Sequence, residues 1–502
     1  MGCYYKRFAA RIGIVCDAIL YESLSPAADF VYVPSTDEWG ERIATIDLLL
    51  VASTWLGMQD GDWEGLGRIG EPIRKRLLEI IDACNRKGIP TVFYSKEDPP
   101  NYTVFLEFAK SCKTVFTSAA EMVPRYKEDC GHERVGVLKF CVNPNHDNPI
   151  GCFEKEKVPG AIFSGSWMIR YPLRCRDLAA ILDGVAESGQ DLCIVDRNSY
   201  RGYHPGYRFP RRFKKAVIPV VPHAQLAALH KKYRWSINVN SVTDSLTMFA
   251  GRCYELLANG CLIVSNFSPG MLKELPEIAI ADSAAFTARL MAGIKEREAD
   301  LLRSSGIRRV MSGNTCYDRV AEILKAVGFP VEIEHPTVAV VIPEDDDGLA
   351  EMFRAQSYAK KKLYVAGAFD DRAKSECGYV TYWDAGQVYG PYFIQDLLDA
   401  FKYADIDFAV DEGSPYSYVE RPVPGRTLFE VGSESRKGLC IKRSDASEED
   451  VRRVCDGIHE ITSHPGRRAE DHKPPLLVRA LACLYDNGFL YTVRRIFLGK
   501  QY

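Results

Sequence analysis

Short, nearly unbroken apolar runs recur along this chain, and most are followed by a longer stretch with helical periodicity. In the first 150 residues the runs fall at 11–17, 46–52, 89–94, 114–117 and 135–140. Between them, residues 72–87 repeat Ile73, Leu77, Leu78, Ile80, Ile81 and Cys84 at helical spacing. A strand without polar alternation is covered on both faces, so the pattern predicts a parallel sheet with crossover helices. No GxGxxG fingerprint accompanies it, so a bound dinucleotide is not implied.

A stretch rich in Asn, Pro, Gly and charge, VNPNHDNPIGCFEKEKVPG at 142–160, reads as a linker. A second series follows, with strands expected at 161–165, 192–195, 235–240, 261–265 and 278–280. Its helices are expected at 173–187, 224–232, 249–259 and 283–295. The fold class is therefore α/β, with two tandem Rossmann-like domains over 1–150 and 151–330. Their sheets would face a common cleft at the carboxyl ends of the strands, where open α/β sheets bind ligands. A smaller α/β unit spans 335–502, with strands at 338–342, 362–366 and 408–410 and a helix at 397–403.

Composition excludes several alternatives. A formal net charge of -3 provides no basic field for nucleic acid. Sixteen cysteines are scattered through apolar runs without any CxxC pair, which predicts buried thiols in a reducing compartment. The N-terminus lacks a signal-peptide pattern, and no apolar run reaches the length of a membrane span. The expectation is a soluble cytoplasmic protein, with peripheral attachment to the inner membrane face and homo-oligomerisation both left open.

The most informative window is NVNSVTDSLTMFAGRCYELLANGCLIVSNFSPGMLKE, from Asn238 to Glu274. It reads strand, polar loop, helix, Gly turn and buried strand. A helix start offers unpaired N–H groups to phosphate, and Ser245 and Thr247 add hydroxyls. Arg252 would fork onto a diphosphate, and Glu255, about one turn later, would accept from a ribose diol. Gly260 would cap the helix end. On spacing alone, an Arg252–Glu255 ion pair on the helix surface accounts for the pattern equally well.

RCYELLANGCLIVSN resembles the donor-site motif of GT-B glycosyltransferases, although the second acidic residue of many retaining members is replaced here by Thr247. The stretches DLLLVASTWLG, GIPTVFYSKEDPPNY, NPNHDNPIG, IFSGSW and NVNSVTDSLTMFAGRCYELLANG look like the spore-maturation (CgeB-like) glycosyltransferase family over about residues 10–330. That resemblance implies a GT-B fold and sugar transfer from a nucleotide-diphosphate donor such as a UDP-sugar. No cofactor beyond this co-substrate, and no metal, is expected. The acceptor would be a glycan or lipid-linked hydroxyl compound of a cell-surface or spore-surface polysaccharide. In GT-B folds the Gly165–Ser166 loop faces the donor phosphates, and Arg197 ends the next strand beside it.

Other residues are candidates by position. Lys96, Glu97 and Asp98 follow a buried strand, where Lys96 would hold the acceptor and Glu97 or Asp98 would act as general base. Asp17 ends the first strand and is either a base or a turn cap. Trp55 would stack on an acceptor sugar, and His146 would touch the cleft from the linker. The basic run YRFPRRFKK at 207–215 fits either an anionic acceptor or a solvated loop. The third unit resembles a degenerate GT-A domain in which Asp384 stands alone where two metal-binding carboxylates are usual, and the acidic run at 344–347 reads as a loop. A sugar-nucleotide epimerase and a non-catalytic glycan-binding scaffold share this architecture and remain as alternatives.

Overall fold

The computed structural model describes residues 4–153, 156–201, 205–442 and 446–462. The first sheet contains β1 (Arg11–Val15), β2 (Asp29–Tyr32), β3 (Leu48–Ala52), β4 (Thr91–Ser95), β5 (Thr114–Thr117) and β6 (Val135–Val137). Its order is β2-β1-β3-β4-β5-β6 and every pairing is parallel. All five residues of β3 and all five of β4 are buried, as strands covered on both faces require. The helix Pro72–Arg86 covers the sheet with Leu77, Ile80, Ile81 and Cys84.

The second sheet contains β7 (Val158–Gly165), β8 (Asp191–Asp196), β9 (Val217–Ile218), β10 (Tyr233–Asn238), β11 (Leu262–Ser265) and β12 (Ala279–Ile280). It is also wholly parallel, in the order β12-β11-β10-β7-β8-β9. The two sheets form a tandem pair of Rossmann-like units. β2 and β9 were not expected from the sequence, because neither run is long enough to stand out from its flanks.

The third sheet is mixed. It contains β13 (Val338–Ile342), β14 (Lys361–Val365), β15 (Tyr379–Tyr382), β16 (Phe408–Val410), β17 (Tyr418–Val419), β18 (Thr427–Glu430) and β19 (Gly438–Cys440). β18 runs antiparallel to both β15 and β16, and β17 antiparallel to β19.

The three units are interlocked. The helix Cys316–Ala326 leaves the second unit and buries Cys316, Tyr317, Val320, Ile323 and Leu324 in the core of the first. Its start is pinned by Arg319, whose Nε donates to the Lys139 and Phe140 carbonyls at 3.2 and 3.3 Å. The helix Glu448–Thr462 returns from the third unit, placing Val451, Cys455 and Ile458 in the core of the second. One continuous apolar cluster runs from Cys253 and Ile307 to Val340, Trp383 and Phe401, so the second and third units share a core. Within it the Arg308 guanidinium grips Asp396 at 2.5 and 2.7 Å and lies 3.6 Å over the Tyr392 ring. No helix among the described residues is long and apolar enough to cross a membrane. Every cysteine among them is a free thiol.

Candidate active site

In the second unit the candidate residues lie at the carboxyl ends of β7, β8 and β10. The sequence predicted a helix from residue 249, but it begins at Arg252 and runs Arg252–Ala258. The preceding loop is held out of helical form because the Ala250 N–H donates to the Asn240 Oδ1 at 2.9 Å. Gly260, at a φ of +68°, ends the segment with an N–H donated to the Leu257 carbonyl at 3.0 Å. Gly165 is required for close approach: a Cβ there would lie 2.7 Å from the Phe163 ring and 3.4 Å from Arg252 Nη1.

Arg252 and Glu255 are both half-buried. Among the described residues neither side chain makes a hydrogen bond or an ion pair, so they are not the helix-surface pair that spacing also allowed. Arg197 is exposed at the end of β8, and its N–H donates to the Gly165 carbonyl at 3.0 Å. Its charge acts on Arg252 and Glu255, and across the gap on Asp17 of the first unit. Ser166 is buried; its Oγ accepts from Asn198 Nδ2 at 2.8 Å.

Arg174 was not anticipated. It is 9 % exposed, its Nη1 donates to the Ser166 carbonyl at 2.8 Å, and no carboxylate pairs with it among the described residues. Burial and the nearby Arg252 push its pKa down to about 10. Its signal in the sequence was a charge one helical turn before Leu178, on the stripe that Leu178, Ile181, Leu182 and Val185 bury. Arg252 thus stands between a buried guanidinium, Arg174, and the unpaired Glu255 carboxylate, on which Arg197 also acts. Burial, and then the Asp147 charge, raise the Glu255 pKa to about 7 against the pull of Arg252, His146 and Arg197.

Two expected donor hydroxyls are engaged elsewhere. Ser245 Oγ donates to Glu121 Oε2 at 3.0 Å, and Thr247 Oγ1 donates to the Ser118 carbonyl at 2.8 Å and accepts from the Ala120 N–H at 2.8 Å. Both therefore bridge the second unit to the first. With the helix starting only at Arg252, they do not sit at its tip as the sequence suggested.

In the first unit, Lys96 is nearly buried, 2.6 Å from Asp17 and 3.6 Å from Glu97. Asp17 also caps the helix Ala18–Leu24 by accepting from the Leu20 N–H at 3.1 Å. Burial works to raise the Asp17 pKa, but Lys96, the cap bond and Arg197 together hold it below the ordinary value, which makes it a poor base. Glu97 is partly exposed and accepts from Asn101 Nδ2 at 3.3 Å. Asp98 does not reach the cleft. It is fully buried, accepting from Thr117 Oγ1 at 2.6 Å and Tyr126 Oη at 3.3 Å, so its predicted role as base is corrected to a structural one. Trp55 is likewise committed, edge-on to Phe105 and seated over Gly67, whose Cβ position its ring occupies.

His146 lies near Glu255, with Nδ1 3.3 Å from Asp147 Oδ1 and its ring stacked on His223. The basic run at 207–215 is anchored by buried Phe209 and Phe213, and Arg212 is paired with Asp183 at 2.8 Å. In the third unit Asp384 is exposed, and within the acidic run Asp346 caps the helix Asp347–Arg354. No three His, Cys, Asp or Glu side chains gather to hold a metal ion among the described residues.

Residues 190–325 match a family model described as Glycosyl transferase-like. No curated protein matches the chain. Solved structures with similarity include a glycosyltransferase from Rickettsia africae ESF-5, at 12 % identity, TM-score 0.39, and coverage of 64 % of this chain and 98 % of that one. AviGT4, a glycosyltransferase involved in avilamycin A biosynthesis, aligns at 14 % identity and TM-score 0.38, covering 63 % and 96 %. The T4 phage BGT, solved with UDP-glucose, aligns at 10 % identity and TM-score 0.40, covering 64 % and 100 %. These findings do not single out the spore-maturation family within the broader class. The family match, which falls within the second unit, supports glycosyl transfer in general.

Proposed function

We propose that the chain transfers a sugar from a nucleotide-diphosphate sugar to a hydroxyl acceptor bound between the first two units. The observation that carries this reading is the charge imbalance of the donor wall. Half-buried Arg252 and buried Arg174 act on each other, neither pairs with a carboxylate among the described residues, and exposed Arg197 adds a third positive charge beside Arg252. Half-buried and buried guanidinium groups without counterions are costly unless an anion completes them, and a diphosphate supplies two charges with fork-shaped acceptors.

In this reading Glu255 accepts from the ribose hydroxyls. As the bond from the sugar to the phosphate breaks, negative charge grows on the leaving diphosphate. The fixed guanidinium charges then bind the transition state more tightly than the ground state. Lys96, neutralised by Asp17 and Glu97, lines the acceptor side. Of the three carboxylates considered, Glu97 is the one left to take the acceptor proton. The bridges from Ser245 and Thr247 hold the two walls together. A glycan or lipid-linked hydroxyl compound is the acceptor class to test.

The test is to incubate the protein with UDP-, ADP- and GDP-sugars and a set of glycan acceptors, and to follow nucleoside-diphosphate release and product mass. Acceptor-dependent release with a glycosylated product is expected. A rearranged sugar formed without acceptor would overturn transfer in favour of epimerisation, and no turnover or binding would leave a scaffold.

A further inference from the structure

We propose that His146 is a positioning residue for the donor carboxylate Glu255, acting through Asp147 and Asn259, with His223 and Glu22 tying this relay to the first unit. The inference rests on the donor reading above and adds a protonation control to the same site. His146 Nδ1 is 3.3 Å from Asp147 Oδ1, and that oxygen also accepts from Asn259 Nδ2 at 2.9 Å. The same Asn259 amide donates to the Glu255 carbonyl at 2.8 Å, so the linker carboxylate is fastened to the end of the helix that bears Glu255. On its other face His146 stacks on His223, with ring centroids 5.4 Å apart and planes 7° from parallel. His223 Nδ1 is 3.3 Å from Glu22 Oε2, which belongs to the helix Ala18–Leu24 of the first unit. Acid, imidazole, imidazole and acid therefore alternate across the gap between the units.

The charged and titratable groups facing His146 are Asp147, Glu255, Glu22 and His223. Those facing Glu255 are Asp147, Arg252, His146, Arg197 and the thiols of Cys141 and Cys253. The Asp147 carboxylate, as acceptor for the His146 ring N–H, raises the His146 pKa, so the imidazolium persists to higher pH than in a free histidine. That cation opposes the burial and the Asp147 charge that keep Glu255 from ionising. His146 thereby lowers the pH above which Glu255 is ionised, acting with Arg252 and Arg197 against burial and Asp147.

The probe is a UDP-, ADP- or GDP-sugar, whose esterified diphosphate keeps its charge across the range. Its Kd is measured by calorimetry between about pH 5.5 and 8.5, where the affinity should fall on the acid side of the Glu255 ionisation. In His146→Gln the acid limb should move to higher pH by about half a unit or more, since a cation has been removed. His146→Lys, which keeps a cation, should restore it. Asp147→Asn, which removes the anion beside Asn259, should move the limb the opposite way. Opposed shifts from adjacent residues do not arise from misfolding. An acid limb that stays put in His146→Gln and Asp147→Asn overturns this inference alone. A wild-type chain that binds none of the three nucleotide sugars at any pH overturns the donor reading beneath it.

Discussion

Lowering the pH should weaken the second unit through one residue, His230. It is 3 % exposed and bridges Ser164 Oγ and Ser236 Oγ, 2.8 Å from each ring nitrogen. Burial and, second, the Arg252 charge push its pKa down to about 3 from a free value of 6.5. As the pH falls, the unfolded chain takes up this proton first. The stability present above about pH 6.5 is therefore lost progressively as the pH falls toward the folded value. Between pH 7 and 5 the loss is roughly 2 kcal/mol, from about 1.5 pH units of differential protonation at about 1.36 kcal/mol each. The assay is urea unfolding at both pH values, followed through the fluorescence of Trp235, which is buried in the same core, in the wild type and in His230→Gln. The variant has no imidazole to titrate, so its loss between the two pH values should be smaller by that amount. Equal pH dependence in the two proteins, or an NMR titration of His230 near pH 6 in the folded state, would refute the reasoning.

Three further outcomes follow from other contacts. Thr247→Val removes both of its bonds to the first unit and should loosen the two walls by about 1–2 kcal/mol, seen as a larger radius of gyration in solution scattering. Arg308→Met leaves Asp396 buried without its partner and should cost about 3–5 kcal/mol in urea unfolding, much of it recovered when Asp396→Leu is added. Asp98→Asn should lower the melting temperature, since Thr117 and Tyr126 lose their acceptor charge, while nucleotide-sugar affinity stays unchanged.

The strands of both parallel sheets other than β2 and β9 were legible because burial on two faces writes a continuous apolar run, as in Leu48–Ala52 and Leu262–Ser265. The helix end at Gly260 was legible because a left-handed turn there favours glycine. The helix start was misplaced because Asn240 and the first unit hold residues 245–250 by tertiary bonds that no local pattern records. For the same reason the hydroxyls of Ser245 and Thr247 could be recognised as donors while their partners, more than 120 residues away, could not. Asp98 and Glu97 are neighbours with opposite fates, because the chain turns the first into the core and leaves the second at the cleft. Arg174 escaped notice because a single cation in an amphipathic helix looks like part of its solvated face until the core side is known.

The proposed transfer depends on Arg252 gripping the diphosphate of an activated sugar. Calorimetry of a nucleotide-diphosphate sugar with the wild type and Arg252→Ala tests it most directly. The prediction is binding to the wild type and a loss of about ten- to hundredfold in the variant, with an unchanged circular dichroism spectrum. Equal affinity in the two proteins would contradict it.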